Sequence, residues 1–119
     1  MSESEILRKI AVIFVTDVVG FSTLMAQNEE LTLRSFRSCK EILDNLFEEH
    51  SGRIFNTAGD SVLAEFPSAV SAVICAVEFQ KLIKARNASV NKEAQMQFRI
   101  GLNMGDVIIE GTNLYGDGV

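Results

Sequence analysis

An uninterrupted apolar run opens the hydrophobic pattern of the chain, over residues 10–15. It consists largely of β-branched residues and is followed by Asp17 and then by Gly20. An apolar run of this length that ends in turn residues is typical of a strand buried on both faces. The pattern therefore predicts a central strand that runs into a turn.

Helical periodicity follows in two later segments. Asn28, followed by two glutamates, is a suitable N-cap for a long helix, and residues 50–52 supply its end. The positions expected on its buried face are Leu31, Phe36, Cys39, Leu43, Leu46 and Phe47. A further helix is predicted from residue 68 to about 85, and its expected buried positions are Val70, Val73, Ile74, Val77 and Ile83. Before both helices, Ser22 is a candidate cap for a short helical turn.

Two β-rich segments predict a first hairpin. Residues 53–57 and 61–66 flank Ala58-Gly59-Asp60, and a Gly-Asp pair is typical of a tight turn between strands. The hairpin places Asp60 at its tip.

A second strand pair is predicted near the end of the chain. Residues 97–103 and 106–110 flank Met104-Gly105, and residues 111–119 are expected to be rich in turns. The order of strand, helices, hairpin, helix and hairpin predicts the α+β class. We expect a ferredoxin-like or palm-type sandwich with a largely antiparallel sheet and helices on one face.

Composition narrows the classes of function. The 119 residues are 47% hydrophobic with a single proline, which predicts one domain, and no segment is apolar and long enough for a membrane span or a secretory leader. We therefore expect a cytoplasmic location. The formal charge of −5, without a basic cluster, disfavours nucleic-acid binding, so a bound triphosphate would be neutralised locally by metal ions and backbone N–H groups. Cys39 and Cys75 fall within predicted helices and are interpreted as small buried apolar residues.

Two acids at predicted turns carry the candidate chemistry. If the first hairpin packs beside the first strand, the carboxylates of Asp17 and Asp60 converge on one edge of the sheet. Two hard oxygen donors with open coordination positions suit Mg²⁺ or Mn²⁺. The same two acids are also explained as a turn residue and a helix cap. The residues alone are compatible with a metal site and with these structural roles. Gly20 permits a ligand to approach the backbone closely, and the N–H groups that follow it can hold a phosphate. The alternative is that this segment is an ordinary connection between the strand and the helix.

Three motifs resemble the signatures of class III adenylate and guanylate cyclases. The first covers residues 16–22 (TDVVGFS), and the second covers residues 52–66 (GRIFNTAGDSVLAEF). The third covers residues 99–107 (RIGLNMGDV) with residues 115–119 (YGDGV). The motifs occur in the family's order, the resemblance extends over residues 9–119, and it is strongest to the bacterial branch.

The resemblance implies a two-metal enzyme of intracellular signalling that converts ATP to 3′,5′-cyclic AMP and pyrophosphate. It implies that Asp17 and Asp60, with the backbone carbonyl of Val18, hold two Mg²⁺ or Mn²⁺ ions. The backbone contacts to the phosphates are implied for Val19, Gly20, Phe21 and Ser22. It also implies a head-to-tail homodimer, because the family's active sites form between two domains.

The sequence departs from the family pattern at two base-reading positions. ATP-using members carry a lysine and an aspartate where Asn56 and Asn113 stand, and an amide hydrogen-bonds either purine. ATP remains the favoured substrate, with GTP as the alternative. In the family pattern an asparagine and an arginine follow Val119. We therefore expect residues 1–119 to form a single cyclase domain that lacks its C-terminal part and is inactive alone.

A second class of function is a regulatory module that keeps the cyclase fold and binds nucleotide without turnover. Asn56 and Asn113 favour this alternative, whereas the two metal acids disfavour it. A diguanylate cyclase lacks support because its Gly-Gly-Asp/Glu-Glu-Phe signature is absent. A plain α+β interaction domain does not explain three ordered motifs.

Four further polar residues receive no catalytic role. His50 is interpreted as a capping or surface residue, and Glu65 is interpreted as a solvated strand residue. Arg53 and Arg99 are assigned no function.

Overall fold

The computed structural model describes residues 6–110 and 113–116, with side chains over residues 10–105. The elements in chain order are β1 (Ile6–Val18), α1 (Phe21–Gln27), α2 (Glu29–Glu49), β2 (Arg53–Ala58), β3 (Ser61–Phe66), α3 (Ala69–Ala88), β4 (Phe98–Glu110) and β5 (Asn113–Gly116). The strands form one sheet in the order β2-β3-β1-β4-β5, and every pairing is antiparallel. The predicted α+β class is confirmed.

Strand β1 is the centre of the sheet, as its apolar run predicts. It pairs with β3 through residues 12–16 and with β4 along its whole length. The helix-facing side chains of β1 join a core cluster with α2 and α3, whereas Ala11 and Ile13 on the other face pack against Phe55 of β2. Burial on both faces explains why this strand lacks the alternation of an exposed one.

The main core lies between β1, β3 and the two long helices. Phe14 is fully buried, and its ring lies 5.1 Å from that of Phe47 and 5.6 Å from that of Phe66. Such aromatic pairs contribute about 0.5–1.5 kcal/mol each beyond the area that they bury. Cys39 and Cys75 are both buried and free, as predicted. Burial raises the pKa of each thiol.

The ends of α2 follow the predicted signals, but the start of α1 does not. Asn28 caps α2 by accepting a hydrogen bond from the backbone N–H of Leu31 at 3.1 Å, and His50 is the C-cap. The prediction that Ser22 caps a helical turn is wrong, because α1 already begins at Phe21. Its N-cap is Gly20, whose φ of 66° bends the chain so sharply that the helix starts one residue after it.

The predicted buried face of α3 is wrong at four of five positions. Val70, Val73, Ile74 and Val77 are 43–68% exposed, and only Ile83 is buried. The residues that face the core are Ala72, Cys75, Phe79 and Ile83. Because α3 carries apolar residues around its whole circumference, periodicity alone allowed more than one face. The small side chains of Ala72 and Cys75 sit on the face that packs into the core.

The predicted turn at Met104-Gly105 is also wrong. Residues 98–110 form one continuous strand, in which Met104 pairs with Val12 and Gly105 with Ala11. The long edge of β1 supplies pairing partners past the glycine, so the chain remains extended there. The segment predicted to be rich in turns contains strand β5 instead, while residues 111–112 and 117–119 lie outside the described residues.

None of the helices that the structure describes combines the length and the apolar character that a membrane crossing requires.

Candidate active site

The hairpin between β2 and β3 brings Asp60 to the carboxyl end of β1. Gly59 adopts a φ of 58°, which makes the turn tight and leaves Asp60 at its tip. The backbone ladder between β1 and β3 ends at the pair Thr16 and Val62. Beyond that point the Asp60 carboxylate accepts a hydrogen bond from the backbone N–H of Val18, 2.8 Å from nitrogen to Oδ2. The Asp60 side chain thus bonds to β1 just beyond the last backbone pair between β1 and β3. The residue that it binds, Val18, directly follows Asp17.

Asp17 is held from the other side, by strand β4. Arg99 is its register partner across the two strands, and the guanidinium binds the carboxylate through two hydrogen bonds. They measure 2.8 Å from Nε to Oδ1 and 3.0 Å from Nη2 to Oδ2. The Asp17 side chain is 33% exposed and that of Arg99 is 70% exposed. The Asp17 carboxylate is therefore accessible from solvent and is already paired with the positive charge of Arg99.

Arg99 interacts electrostatically with both acids. Its hydrogen bonds to Asp17 and the charge of Asp17 raise the pKa of the guanidinium, and the charge of Asp60 adds to the effect. The side chain therefore lies within electrostatic reach of both carboxylates. Sequence reasoning assigned no function to Arg99, since nothing in the sequence shows that residues 17 and 99 face each other. Its place at the start of the third motif is the signal that could have found it.

Close packing fixes the strand ends at this site. The hydroxyl of Thr16 donates a hydrogen bond to the Arg99 carbonyl at 2.7 Å. A Cβ added at Gly101 would lie 3.2 Å from a methyl group of Val15, so the two strands approach closely there. A shallow cavity of about 190 Å³ borders Asp17 and Arg99. The neighbouring ends of β1 and β4 are thus closely packed at this site, and the cavity lies beside them.

The turn after β1 contains the four residues whose backbone the resemblance assigns to the phosphates, and one of their N–H groups is bonded within the protein. The N–H of Val19 donates to the Gln97 carbonyl at 2.8 Å, so it is already used within the protein. Gly20 precedes α1, while Phe21 and Ser22 lie in its first turn, where N–H groups lack an acceptor within the helix. The backbone that remains for an anion is therefore that of residues 20–22.

The two predicted base-reading residues lie on the two edge strands of the sheet. Asn56 stands in β2 opposite Leu63, just after a register shift at Phe55, and its side chain is exposed. Asn113 begins β5 opposite Glu110, and its side chain lies outside the described residues. None of the hydrogen bonds found among the described residues joins Asn56 to Asp17 or Asp60.

The donor set at the end of β1 fits a hard divalent cation. It consists of the carboxylates of Asp17 and Asp60 with the nearby carbonyl of Val18, all of which are oxygen ligands. The Val18 side chain is buried, which anchors that backbone. A cation at Asp17 would compete with Arg99 for the carboxylate oxygens. A larger cavity of about 450 Å³ beside α3 and β4 is lined by Val77, Ile100 and Leu102 among others, and none of its described lining residues is an acid, so they offer no carboxylate to a metal.

Comparison with known proteins leads to the same family by sequence and by fold. The sequence model of the family described as the adenylate and guanylate cyclase catalytic domain matches residues 3–114. The Rhizobium meliloti (strain 1021) protein named "Putative adenylate cyclase 3" is 40% identical over 120 residues, which cover 100% of this chain and 20% of that protein.

Solved structures agree with the sequence match. The crystal structure of an adenylate/guanylate cyclase/hydrolase from Silicibacter pomeroyi has a TM-score of 0.83 and 32% identity, over 95% of this chain and 66% of that one. The guanylyl cyclase Cya2 has a TM-score of 0.81 and 22% identity, over 94% of this chain and 66% of that one, a likeness of fold alone. The chain thus spans a fifth of the Rhizobium meliloti protein and 66% of each of these two solved chains. Both adenylate and guanylate enzymes occur among the names.

Proposed function

This chain belongs to the family of adenylate and guanylate cyclase catalytic domains, and from that premise we propose that it converts ATP to 3′,5′-cyclic AMP and pyrophosphate. The observation that carries the proposal is the position of Asp60, whose carboxylate binds the backbone beside Asp17. Two acids from distant parts of the chain share one strand end, next to an exposed cavity. That arrangement can hold cations against a triphosphate.

The metal-binding residues of the proposal are Asp17, Asp60 and the Val18 carbonyl. When bound, two Mg²⁺ or Mn²⁺ ions supply Lewis-acid activation of the ribose 3′-hydroxyl and neutralise charge on the phosphates. The Val18 N–H fixes one oxygen of Asp60 and leaves the remaining lone pairs of that carboxylate free for a cation. The N–H groups of residues 20–22 face the phosphates in this proposal. Most of the catalytic work is positioning and charge neutralisation.

Arg99 enters the proposal as a residue that exchanges partners. In the structure its guanidinium neutralises Asp17. With a cation held by Asp17, the guanidinium of Arg99 would be free to bind a phosphate, which its planar fork of N–H donors suits. Arg99 would then offset negative charge on the triphosphate.

The choice of nucleotide is proposed to be ATP, with GTP as the alternative. The 40% identity to a protein named as an adenylate cyclase supports ATP. Asn56 and Asn113 offer both donors and acceptors, so neither excludes guanine. A regulatory module that binds nucleotide without turnover is the second candidate, and those two substitutions favour it.

We propose further that residues 1–119 form part of a longer cytoplasmic cyclase domain that acts in signalling as a head-to-tail homodimer. The sheet face opposite the helices supports this. Ala11, Ile13 and Phe55 form an apolar cluster there, and Val15, two residues before Asp17, is 40% exposed. Ala11 and Ile13 are buried, so Val15 is the apolar side chain that this face exposes beside the acids, and a second copy would contact it while completing the site.

Product analysis tests the proposal. The longer protein that carries this chain is incubated with ATP or GTP and Mn²⁺, and cyclic nucleotides are separated and quantified. Preferential formation of cyclic AMP is the expected result. Preferential formation of cyclic GMP supports the guanylate alternative, and metal-dependent binding of both triphosphates without product supports the regulatory module.

A further inference from the structure

A second group of metal-ligating side chains lies on the helical layer, apart from Asp17 and Asp60. Glu49 and His50 stand at the end of α2, and Glu78 lies in the middle of α3. One ligand atom from each residue lies within 4.8 Å of the other two. The closest pair is His50 Nε2 and Glu78 Oε2, at 3.3 Å. Two helices therefore contribute one nitrogen and two oxygen ligands to a single point.

The end of α2 holds its two ligands firmly. The N–H of His50 donates to the Leu46 carbonyl at 2.9 Å, and the N–H of Gly52 donates to the Phe47 carbonyl at 2.7 Å. Leu46 and Phe47 are buried in the core that α2 shares with α3. The imidazole of His50 is only 17% exposed, so its orientation toward Glu78 is constrained by packing.

The local charge favours a cation. Two carboxylates approach one imidazole, and the end of α2 adds the negative pole of the helix dipole. Within the described residues, the only salt-bridge partner found for Glu78 is His50. The charges of Glu78 and Glu49 also reach Cys75, since both help to raise the pKa of that buried thiol. The point where the three residues meet therefore carries a negative potential, and no salt bridge from a lysine or arginine to Glu78 is found among the described side chains.

We propose that Glu49, His50 and Glu78 form a binding site for a divalent transition-metal ion of the Zn²⁺ type, separate from the proposed catalytic metals. Zn²⁺ takes histidine nitrogen and carboxylate oxygen at about 2.0–2.2 Å, so tetrahedral neighbours lie about 3.3–3.5 Å apart. The separation of 3.3 Å between His50 and Glu78 already fits that geometry. Glu49 is exposed, and its carboxylate oxygen lies within 4.8 Å of the other two ligand atoms. Water completes the fourth position, and the ion ties the end of α2 to α3.

The ligand types separate this site from the one at the end of β1. An imidazole nitrogen suits Zn²⁺, whereas Mg²⁺ prefers oxygen ligands alone. Cys75 is not among the converging ligand atoms, and its thiol is protonated at neutral pH because its pKa is about 11. The set is therefore one of nitrogen and oxygen, without thiolate.

Calorimetric titration with ZnCl₂ tests the inference. The full protein carries Asp17→Ala and Asp60→Ala, which removes the carboxylates at the end of β1 as competing ligands. We expect a Zn²⁺ site whose affinity falls more than about tenfold in His50→Gln and in Glu78→Gln. Glu48→Gln, an exposed neighbour, and Cys75→Ala are the matched controls and should retain the affinity. Circular dichroism verifies that each variant is folded.

Two further measurements separate a metal site from a simple ion pair. Zn²⁺ should raise the thermal transition of the parent protein but not that of His50→Gln. Mg²⁺ at millimolar concentration should not displace it. The inference is overturned if Zn²⁺ binding persists in both His50→Gln and Glu78→Gln, if no binding is detected at neutral pH, or if Mg²⁺ competes for the site.

Discussion

Asp17 and Arg99 face each other across β1 and β4, and two hydrogen bonds of 2.8 and 3.0 Å join the carboxylate to the guanidinium. The positively charged guanidinium of Arg99 is thus bound to the carboxylate that the proposed function assigns to a metal ion. The charge of Asp60 also acts on this guanidinium. Metal binding at Asp17 is therefore expected to compete with Arg99.

Replacing Arg99 separates its two roles. In Arg99→Ala, Mn²⁺ should bind more tightly when nucleotide is absent, because the competing guanidinium is gone. Turnover should nevertheless fall about a hundredfold, as on loss of one donor to developing negative charge. Arg99→Lys should recover little of it, because an ammonium cannot reproduce the two-pronged contact. Paramagnetic resonance of Mn²⁺ and steady-state cyclase assays supply the two readouts.

Arg53→Ala is the matched control for Arg99. Arg53 is also a strand arginine bound to an acid, Glu65, but it lies on the β2–β3 hairpin away from Asp17. It should alter neither Mn²⁺ affinity nor turnover appreciably. Equal effects of the two variants would show that general charge, rather than the contact with Asp17, determines the result.

Asp60 is expected to matter for both stability and activity. Asp60→Ala leaves the Val18 N–H without its acceptor and should lower the free energy of unfolding by about 1–2 kcal/mol. Asp60→Asn keeps an acceptor oxygen and should cost less. Both variants should lose about a thousandfold in turnover, since an ion that contributes several kcal/mol is no longer held. Urea denaturation and cyclase assays measure the two effects.

Asp44→Asn is the control for these changes, because Asp44 is an exposed acid paired with Lys40 on α2. It should retain both stability and turnover. Wild-type turnover in Asp60→Asn would remove this acid from the proposed metal site.

The local parts of the site could be predicted from the sequence, but the contacts across the sheet could not. A Gly-Asp turn and an acid at the end of an apolar run are short-range signals, and both lie where the pattern indicated. The pairing of Asp17 with Arg99 joins residues 82 positions apart. It depends on the register of β4 against β1, which no local pattern specifies.

Two of the errors in the fold have a related cause. Val73 and Ala72 are adjacent apolar residues of α3, and only packing against the sheet decides which is buried. Met104-Gly105 resembles a turn until a long partner strand is present to pair with it. Tertiary context overrides local preference in both places.

Substitutions on α3 test the face that packs on the core. Ala72→Leu should destabilise the protein by about 1–3 kcal/mol, because Ala72 is fully buried and the core has no room for three more carbon atoms. Val73→Leu, at the next position, should change the free energy of unfolding by less than about 0.5 kcal/mol, because Val73 is 49% exposed. Urea denaturation of both variants gives the comparison. A larger loss in Val73→Leu than in Ala72→Leu would mean that the face predicted from periodicity is the buried one.

The thiol of Cys75 predicts how stability depends on alkaline pH. Burial, with smaller effects of Glu78 and Glu49, raises the pKa of this thiol from 9.0 to about 11. The folded protein therefore holds the thiol proton to higher pH than the unfolded chain does. Its contribution to stability is fully present below about pH 9 and is lost as pH rises toward 11. Cys75→Ala lacks this titration, so its free energy of unfolding should fall less than that of the wild type between pH 9 and 11.

Urea denaturation across this range, with a chelator present, measures the difference between the two proteins. Both proteins contain the same lysines and Tyr115, so the contributions of these residues to the pH dependence cancel in that difference. Parallel pH profiles would show that the thiol titrates alike in the folded and unfolded states, contrary to its burial on the core-facing side of α3.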